Sequence, residues 1–389
     1  MKIKPRIIFW GLVLCALVCH VTACNLDMEI HGDVITYAGL SGTPGNNDAN
    51  VITGSASDAR FNRPQAMAVY GQFLFVGDSG NNSVRMIHIA GDTPGHIETL
   101  ITGLQGDIRG LAVNSQHIVV SDHHAHQIKI YARSGGSPIA VYGSGQAGFR
   151  DGPGDNAMFN YPSGVALNAE GIIFIADTAN SRLRRIDSQG NVSTVAGSAG
   201  GFADGQGTGV RFEQPVGLVI DGDGNFIIAD TWNHFIRMID TGGNSGTYAS
   251  YRGSWGFQDG ESGLAKMGTP QSLFLDDATG DIYFTDGAIP AIRKITPGRL
   301  VEPPRRPGEE IATGSERIVN RFIMTIAGFK GFSSAHTSYA GHGYRDGSNI
   351  EARFNNPFGV AAIVSRGNTY VFVADTDNHV IRRIARNNY

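Results

Sequence analysis

One sequence motif recurs six times along this chain and constrains its fold more than any other feature. Each copy starts with a proline or its substitute and a short apolar run, and a turn then leads to a second apolar run that ends in aspartate. Six residues after each aspartate stands an aliphatic residue, followed by a cation. The aspartates are Asp78, Asp122, Asp177, Asp230, Asp286 and Asp375. A phrase repeated at this spacing predicts an array of equivalent structural units.

Each copy is predicted to contain four short strands. In the third copy, apolar runs at 164–167, 172–176, 183–186 and 192–196 are separated by turn residues. The chain has 53 glycines, and only 17% of its residues are charged. This composition favours short strands joined by tight turns over amphipathic helices, so the fold class is predicted to be all-β.

The two ends of the repeat region predict a closed ring. The region opens with a lone strand of the fourth type, Val34–Ala38, and it stops after a strand of the third type, Ile381–Ile384. Pairing the N-terminal strand with the last three strands completes the sixth unit and removes an exposed sheet edge. We therefore predict a six-bladed β-propeller over residues 33–389, with four antiparallel strands per blade.

The repeats resemble a known family. The segments Ala176–Arg185, Ala229–Arg237 and Ala374–Arg383 are similar to NHL repeats, and the similarity covers nearly all of residues 33–387. The resemblance implies a six-bladed propeller. It leaves function open, because NHL-like propellers include adhesion and scaffold domains, RNA readers, sensor domains and a few enzymes. The second copy departs from the pattern, with Ile108 in place of proline.

The N-terminus has the pattern of an export signal. Lys2, Lys4 and Arg6 precede an apolar run over residues 7–21, which predicts a signal peptide over residues 1–23. Without these three cations, 28 basic residues face 35 acidic ones, a net charge of −7. That sign disfavours nucleic acid as a partner.

The residues around Cys24 predict a lipid anchor. The stretch Val21–Cys24 resembles a bacterial lipobox, which implies cleavage before Cys24, a diacylglyceryl group on its sulfur and a tether over residues 24–32. Cys15 and Cys19 lie inside the signal, so Cys24 would be the one thiol of the processed chain. Cleavage without lipidation is one alternative. Eukaryotic secretion is another, because Asn81 and Asn191 begin glycosylation sequons.

One segment interrupts the repeat. Residues 297–320 contain a Pro-Pro-Arg-Arg-Pro run and lengthen one interval between blade prolines to 87 residues, where its neighbours have 53 to 55. We predict a solvated insertion between the third and fourth strands of the fifth blade. A partner-binding loop is the alternative.

The repeated aspartate and cation have two interpretations, a metal site and a structural hydrogen-bonding unit. A carboxylate that accepts N–H bonds from the turn after it explains every copy, and this structural role is the prediction. Asparagines three residues after the aspartates would assist: Asn81, Asn180, Asn233 and Asn378.

Connections between blades and the turns that follow the aspartates are predicted to share one face of the ring. Four connections carry an aromatic residue ahead of an x-Asp-Gly sequence: Phe149, Phe202, Phe257 and Tyr344. These side chains either line a recognition rim or fill the space between blades, and their repetition favours the second role. Trp232 and Trp255 occur in single blades and are therefore predicted ligand contacts.

Metal binding has one candidate group, the run His123, His124 and His126 after Asp122. Together with His234 or His379 these imidazoles would suit Zn, Cu or Ni. The alternative is packing, because His234 and His379 occupy a repeated position.

Asp221–Asn225 resembles part of a calcium loop but lacks its final glutamate, so a hairpin turn is predicted. Neither Zn nor Ca is expected as a required cofactor.

The function predicted from the sequence is an exported binding or scaffold module, monomeric and located in the periplasm or at the cell surface. Its partner would be a protein, peptide or glycan on one ring face. The chain has no nucleophile elbow, phosphate loop or haem motif. The alternative is a metal-dependent hydrolase or lyase that acts at the central opening and is similar to lactonases or peptidyl-hydroxyglycine lyases.

Overall fold

A computed structural model describes residues 33–45, 58–89, 96–250, 253–298, 321–328, 342–365 and 367–387. The predicted signal peptide, Cys24 and the tether lie outside these ranges, as does nearly all of the predicted insertion. Among the described residues, no helix is long and apolar enough to cross a membrane.

Strands form six antiparallel sheets across the described ranges, one for each copy of the repeat. Blade one contains β2 (Pro64–Tyr70), β3 (Phe73–Asp78), β4 (Ser83–His88) and β5 (Ile97–Ile101). Blade two contains β6 (Ile108–Val113), β7 (His117–Asp122), β8 (Gln127–Ala132) and β9 (Pro138–Tyr142). Blade three contains β10 (Gly152–Pro153), β11 (Pro162–Leu167), β12 (Ile173–Asp177), β13 (Arg182–Ile186) and β14 (Asn191–Gly197).

The second half of the chain repeats this plan. Blade four contains β15 (Pro215–Ile220), β16 (Phe226–Asp230), β17 (Phe235–Ile239) and β18 (Ser245–Ala249). Blade five contains β19 (Gly260–Glu261), β20 (Pro270–Leu275), β21 (Ile282–Asp286), β22 (Ala291–Thr296) and β23 (Phe322–Gly328). Blade six contains β24 (Gly347–Ser348), β25 (Pro357–Ser365), β26 (Asn368–Asp375), β27 (Val380–Asn387) and β1 (Asp33–Ala38).

The predicted six-bladed propeller is confirmed, with one addition. β1 pairs with β27, with Val34 opposite Ile384 and Ala38 opposite Ile381, so the N-terminal strand completes the last blade. Blades three, five and six each gain a short fifth strand, β10, β19 and β24, from the connection that leads into the blade. Residues 297–320 fall between β22 and β23, the third and fourth strands of blade five, as predicted.

The innermost strands of neighbouring blades approach each other at glycine. A Cβ atom on Gly164 would lie 2.4 Å from the carbonyl oxygen of Val216, and one on Gly217 would lie 2.1 Å from that of Gln271. Each blade therefore packs its first strand directly against the backbone of the next blade. A larger residue at these positions would separate the two strands.

The space between blades is filled by a second set of repeated aromatic residues. They lie ten residues after the connection aromatics, and all are fully buried: Phe159, Phe212 and Phe354. Phe61 takes the same place in blade one. The rings of Phe61, Phe159 and Phe212 belong to apolar clusters that join one blade to the next, such as the cluster of Phe212 with Leu183 and Leu218. The role predicted for Phe149 and its equivalents therefore belongs to a different set of residues.

Candidate functional site

The blade connections and the turns between second and third strands lie on one face of the ring, as predicted. Asn180 donates from Nδ2 to the carbonyl oxygen of Gly148 over 2.7 Å, which joins a turn to a connection. Asn233 and Asn378 make the same bond to Gly201 and Gly343, each at 2.8 Å. We call this side of the ring the turn face.

Each repeated aspartate forms a buried ion pair with the cation seven residues later. The Asp177 carboxylate lies 2.6 Å from Nη1 of Arg184, and that of Asp375 lies 2.8 Å from Nη1 of Arg382. In blade two the cation is Lys129, 2.6 Å from Asp122. Removing one partner of such a buried pair destabilises a protein by about 3–5 kcal/mol, because the other charge stays buried without compensation.

The predicted structural role of these aspartates is confirmed, with a different source of backbone bonds. Asp177 accepts the N–H of Asn160, and Asp230 accepts that of Glu213. Both donors lie two residues before the blade proline, whereas the prediction placed the donors in the following turn. The asparagine three residues later also donates, as predicted. The aspartate therefore ties the loop before the first strand to the end of the second strand.

Burial dominates the acid–base behaviour of these carboxyl groups. It raises the pKa of Asp78, Asp230 and Asp375 to about 6, although hydrogen bonds and the neighbouring arginines act in the opposite direction. All three remain mainly ionised at pH 7. They are structural groups, since each is fully enclosed by its own blade.

The connection aromatics cover the buried arginines and keep one side open to solvent. Phe202 lies with its ring centroid 4.5 Å from Cζ of Arg237, and Tyr344 lies 5.1 Å from Cζ of Arg382. Phe149 covers Arg182 and Arg184, and Phe257 covers Arg293. Phe149, Phe202 and Tyr344 are 47%, 46% and 44% exposed. They form lids on the turn face, where a ligand can reach them.

The aspartates of the same connections form ion pairs with the arginines that the aromatic rings cover. Asp151 and Asp204 bind Nη2 of Arg184 and Arg237 over 2.7 and 2.6 Å. Each arginine is thus held between a buried and a partly exposed carboxylate. This arrangement explains the spacing of the connection motif, because the aromatic residue packs on the guanidinium group to which its aspartate is paired.

Trp232 and Trp255 are the most exposed aromatic side chains of the described part of the turn face, at 59% and 55%. Trp232 lies in the 3-10 turn Thr231–Asn233 of blade four, and Trp255 lies in the connection that leads into blade five. Each indole presents a large apolar surface with a polar N–H to solvent, and aromatic side chains of this kind are enriched where proteins bind ligands. The structure thus presents both predicted ligand contacts to solvent.

The histidine turn of blade two is arranged around Tyr161. The ring centroids of His123, His124 and His126 lie 5.0, 5.9 and 4.6 Å from that of Tyr161. His123 is buried, and its Nδ1 lies 2.9 Å from the carbonyl oxygen of Pro162 in the next blade. Thr178 and Thr231 make this inter-blade bond in blades three and four. His123 therefore replaces a threonine of the repeat.

Backbone bonds determine which nitrogen of the other two imidazoles carries the proton. Nδ1 of His124 accepts the N–H of Asp107 over 3.3 Å, and Nδ1 of His126 accepts that of Tyr161 over 3.1 Å. In the neutral rings the proton therefore lies on Nε2, which becomes a donor instead of a metal ligand. Within the described ranges, no three His, Cys, Asp or Glu side chains form a metal-binding group. The metal site stays a prediction.

His123 is held in the neutral form. Burial lowers the pKa of its imidazole to about 3, and the positive charge of Arg109 acts in the same direction. Burial also lowers the pKa of His126 and of His379. These groups supply hydrogen bonds at neutral pH without adding positive charge to the turn face.

A ring of variable residues surrounds the central axis, and the sequence analysis singled out only Trp232 and His124 among its members. It consists of the residue before each first strand and the middle residue of each following turn, and we call it the mouth ring. Its members are Arg63, Gly80, Asp107, His124, Tyr161, Ala179, Gln214, Trp232, Thr269, Ala288, Asn356 and Asp377. Their sequence signal is that they vary beside prolines and asparagines that recur in most copies.

The central channel is lined mainly by apolar residues. It forms a cavity of about 240 Å³ lined by the six innermost strands. Arg109 and Asp277 are the only ionisable residues in its lining. Arg109 reaches from blade two towards blade six, where its Cζ lies 5.3 Å from the ring centroid of Phe358.

Comparison with known proteins agrees with this architecture. The NHL repeat family model matches residues 159–186 and 212–237, which cover parts of blades three and four. The chain is an NHL-repeat β-propeller. It is 27% identical over 293 residues, 67% of its length, to the chloroplastic protein SUPPRESSOR OF QUENCHING 1 of Arabidopsis thaliana, of which it covers 27%. It is 26% identical to human NHL repeat-containing protein 2, with 53% of this chain and 34% of that protein covered. The chain thus spans about a quarter to a third of these relatives.

Solved structures show the same fold. An auxiliary nutrient binding protein from Bacteroides ovatus superimposes with a TM-score of 0.61 at 17% identity, covering 91% of this chain and 76% of that one. A protein of unknown function from Bacteroides thetaiotaomicron gives a TM-score of 0.62 at 20% identity, with the same shares of the two chains. At these identities the likeness concerns the fold.

Proposed function

We propose that this NHL-repeat propeller is a binding module that recognises a protein, peptide or glycan on its turn face. The observation that carries the proposal is the set of exposed aromatic side chains on that face, led by Trp232 and Trp255. Aromatic residues supply much of the binding energy in protein recognition sites. The nutrient-binding description of the Bacteroides ovatus protein is consistent with such a role.

The proposed location is outside the cytoplasm, with the chain attached to a membrane through a lipid on Cys24. The support is the sequence pattern at residues 1–24. The direction of β1 fits this arrangement, because β1 begins at Asp33 away from the turn face and ends at Ala38 on it. The chain therefore enters the ring on the side that does not carry the aromatic residues.

Binding can be tested with the full-length protein on printed arrays of peptides and glycans. We expect Trp232→Ala combined with Trp255→Ala to reduce the signal of bound spots at least tenfold, because both indole surfaces are removed. Val364→Ala is the matched control, since Val364 is 52% exposed at the other end of its blade. If the double variant binds every spot as the wild type does, the turn face is not the binding surface.

The anchor can be tested by mass spectrometry of the protein purified from a bacterial membrane. We expect the N-terminal peptide to begin at residue 24 and to carry a diacylglyceryl group, and Cys24→Ala to move the protein into the soluble fraction. An unmodified thiol on a membrane-bound wild-type chain would contradict the proposed anchor.

A further inference from the structure

A polar patch crosses blades six, one and two within the mouth ring and contains two ion pairs. Nε of Arg63 lies 3.6 Å from the Asp377 carboxylate, and Nη2 of Arg109 lies 3.1 Å from that of Asp107. The side chains of Arg63 and Asp377 are 48% and 40% exposed. Both side chains are therefore accessible from solvent.

The two pairs belong to one network. Burial alone would raise the pKa of Asp107, yet Arg109, a hydrogen bond from Gln65 and the charge of Arg63 lower it below its usual range. Asn356 donates to Asp377 over 3.3 Å. The patch therefore forms a continuous surface that extends across three blades.

One acceptor of this network is unused. Gln65 is only 2% exposed, and among the described residues its Oε1 atom has no hydrogen-bond partner. A buried polar atom without a partner destabilises a protein by about 1–3 kcal/mol, and Oε1 of Gln271, at the equivalent position of blade five, is in the same state. Gln65 therefore keeps an unpaired acceptor close to Asp107, beneath the surface of the patch.

The charges of the patch indicate what kind of ligand fits. Arg63 and Arg109 are balanced by Asp377 and Asp107, so the patch has no net charge that would favour an ionic ligand. Each pair places N–H donors beside carboxylate acceptors. A hydroxyl group both donates and accepts, so a row of neighbouring hydroxyls satisfies both members of a pair at once.

The mouth ring also offers apolar surface. Tyr161 is 40% exposed next to His124, whose Nε2 is a donor, and Trp232 lies on the same ring in blade four. Aromatic faces pack well against the C–H surfaces of flat, hydroxyl-bearing rings. Planar polar side chains and aromatic surfaces therefore occur together around one opening.

The geometry points to an uncharged saccharide as the ligand of the mouth ring, held by the Arg63–Asp377 and Asp107–Arg109 pairs and packed on Tyr161 and Trp232. This inference rests on the proposed binding function and specifies its ligand class. It also places the site at the axis, whereas the lids formed by Phe149 and its equivalents lie further out on the same face.

The test is calorimetric titration of the full-length protein with neutral hexasaccharides of glucose, xylose, mannose and galactose, with hexagalacturonate, and with a mixed decapeptide pool. We expect at least one neutral hexasaccharide to bind, and Arg63→Gln combined with Asp377→Ala to weaken it at least tenfold. Both substitutions install residues that blades four and three carry at these positions, Gln214 and Ala179. Folding is therefore expected to be preserved, and the net charge stays the same.

The matched control removes the ion pair between Asp281 and Lys294, 2.6 Å apart on the opposite face, by Asp281→Asn combined with Lys294→Gln. This variant should bind as the wild type does. If only peptides or only hexagalacturonate bind, and Trp232→Ala weakens that binding, the saccharide inference is overturned while the binding function stands. Failure of every probe on the wild type, together with unaltered array binding by the tryptophan variant, would overturn both.

Discussion

At the scale of single residues, this ring uses identical side chains for architecture and departs from them at its mouth. His123 differs from the repeat only in its side chain, because it makes the same bond to the next blade that Thr178 makes from blade three. The change from hydroxyl to imidazole introduces a titratable group into a buried contact. This exchange makes one junction of the ring sensitive to acid.

His123→Thr is expected to remove this sensitivity. The pKa of His123 is about 3 in the folded protein and near 6.5 in the unfolded chain, so protons bind the unfolded chain first as the pH falls. The stability that neutral His123 contributes is therefore complete above pH 6.5 and is lost towards pH 3. We expect the unfolding free energy of the wild type, relative to His123→Thr, to fall by roughly 1 kcal/mol per pH unit between pH 6 and pH 4.

Urea unfolding at a series of pH values measures this difference. The buried aspartates titrate in both proteins, so their contribution cancels in the comparison. His126→Asn, at another position of the same turn, is a comparison for local disruption, and it is expected to change the pH profile less than His123→Thr, because His126 is less buried although burial lowers its pKa too. Parallel pH profiles for the wild type and His123→Thr would show that His123 is protonated in the folded state.

At the scale of strands, contact between neighbouring first strands depends on glycine. Gly164→Ala is expected to destabilise the fold by about 2 kcal/mol or more, because its Cβ would lie 2.4 Å from the carbonyl oxygen of Val216 and force two blades apart. Gly222→Ala is the matched control, since no atom lies within 4 Å of its added Cβ. Thermal unfolding of both variants checks the comparison, and equal melting temperatures would contradict the account.

Sequence alone predicted the strands well because each blade repeats the same alternation. It failed to predict β10, since Gly152 and Pro153 carry no strand pattern and pair with β14 only after the connection folds back. It also assigned the inter-blade role to Phe149 in place of Phe159. Both aromatics recur ten residues apart, and only the path of the connection decides which one becomes buried. Of the mouth ring only Trp232 and His124 were predicted, because its residues do not repeat and their common position is visible only in the folded ring.

At the scale of the whole molecule, the ring depends on one strand from the far end of the chain. A chain that begins at Asp33 keeps β1, whereas one that begins at Gly39 loses it and exposes the edge of β27. We expect the shorter chain to melt at least 10 °C lower and to bind a hydrophobic dye, because Tyr37 and Ala38 are buried in the cluster that joins blades six and one. Equal melting curves for the two chains would show that closure adds nothing to stability.

The pairing of Val34 with Ile384 also sets the order in which this protein can mature. The two residues are 350 positions apart, 384 − 34, so the contact forms only when almost the whole chain is available. During synthesis β1 stays unpaired until five further blades and its partner β27 have been made. Under the export proposed above, this delay would be an advantage, because translocation machinery that threads unfolded polypeptide would meet no closed ring. The last strands to cross would then pair with β1 and close the ring after translocation.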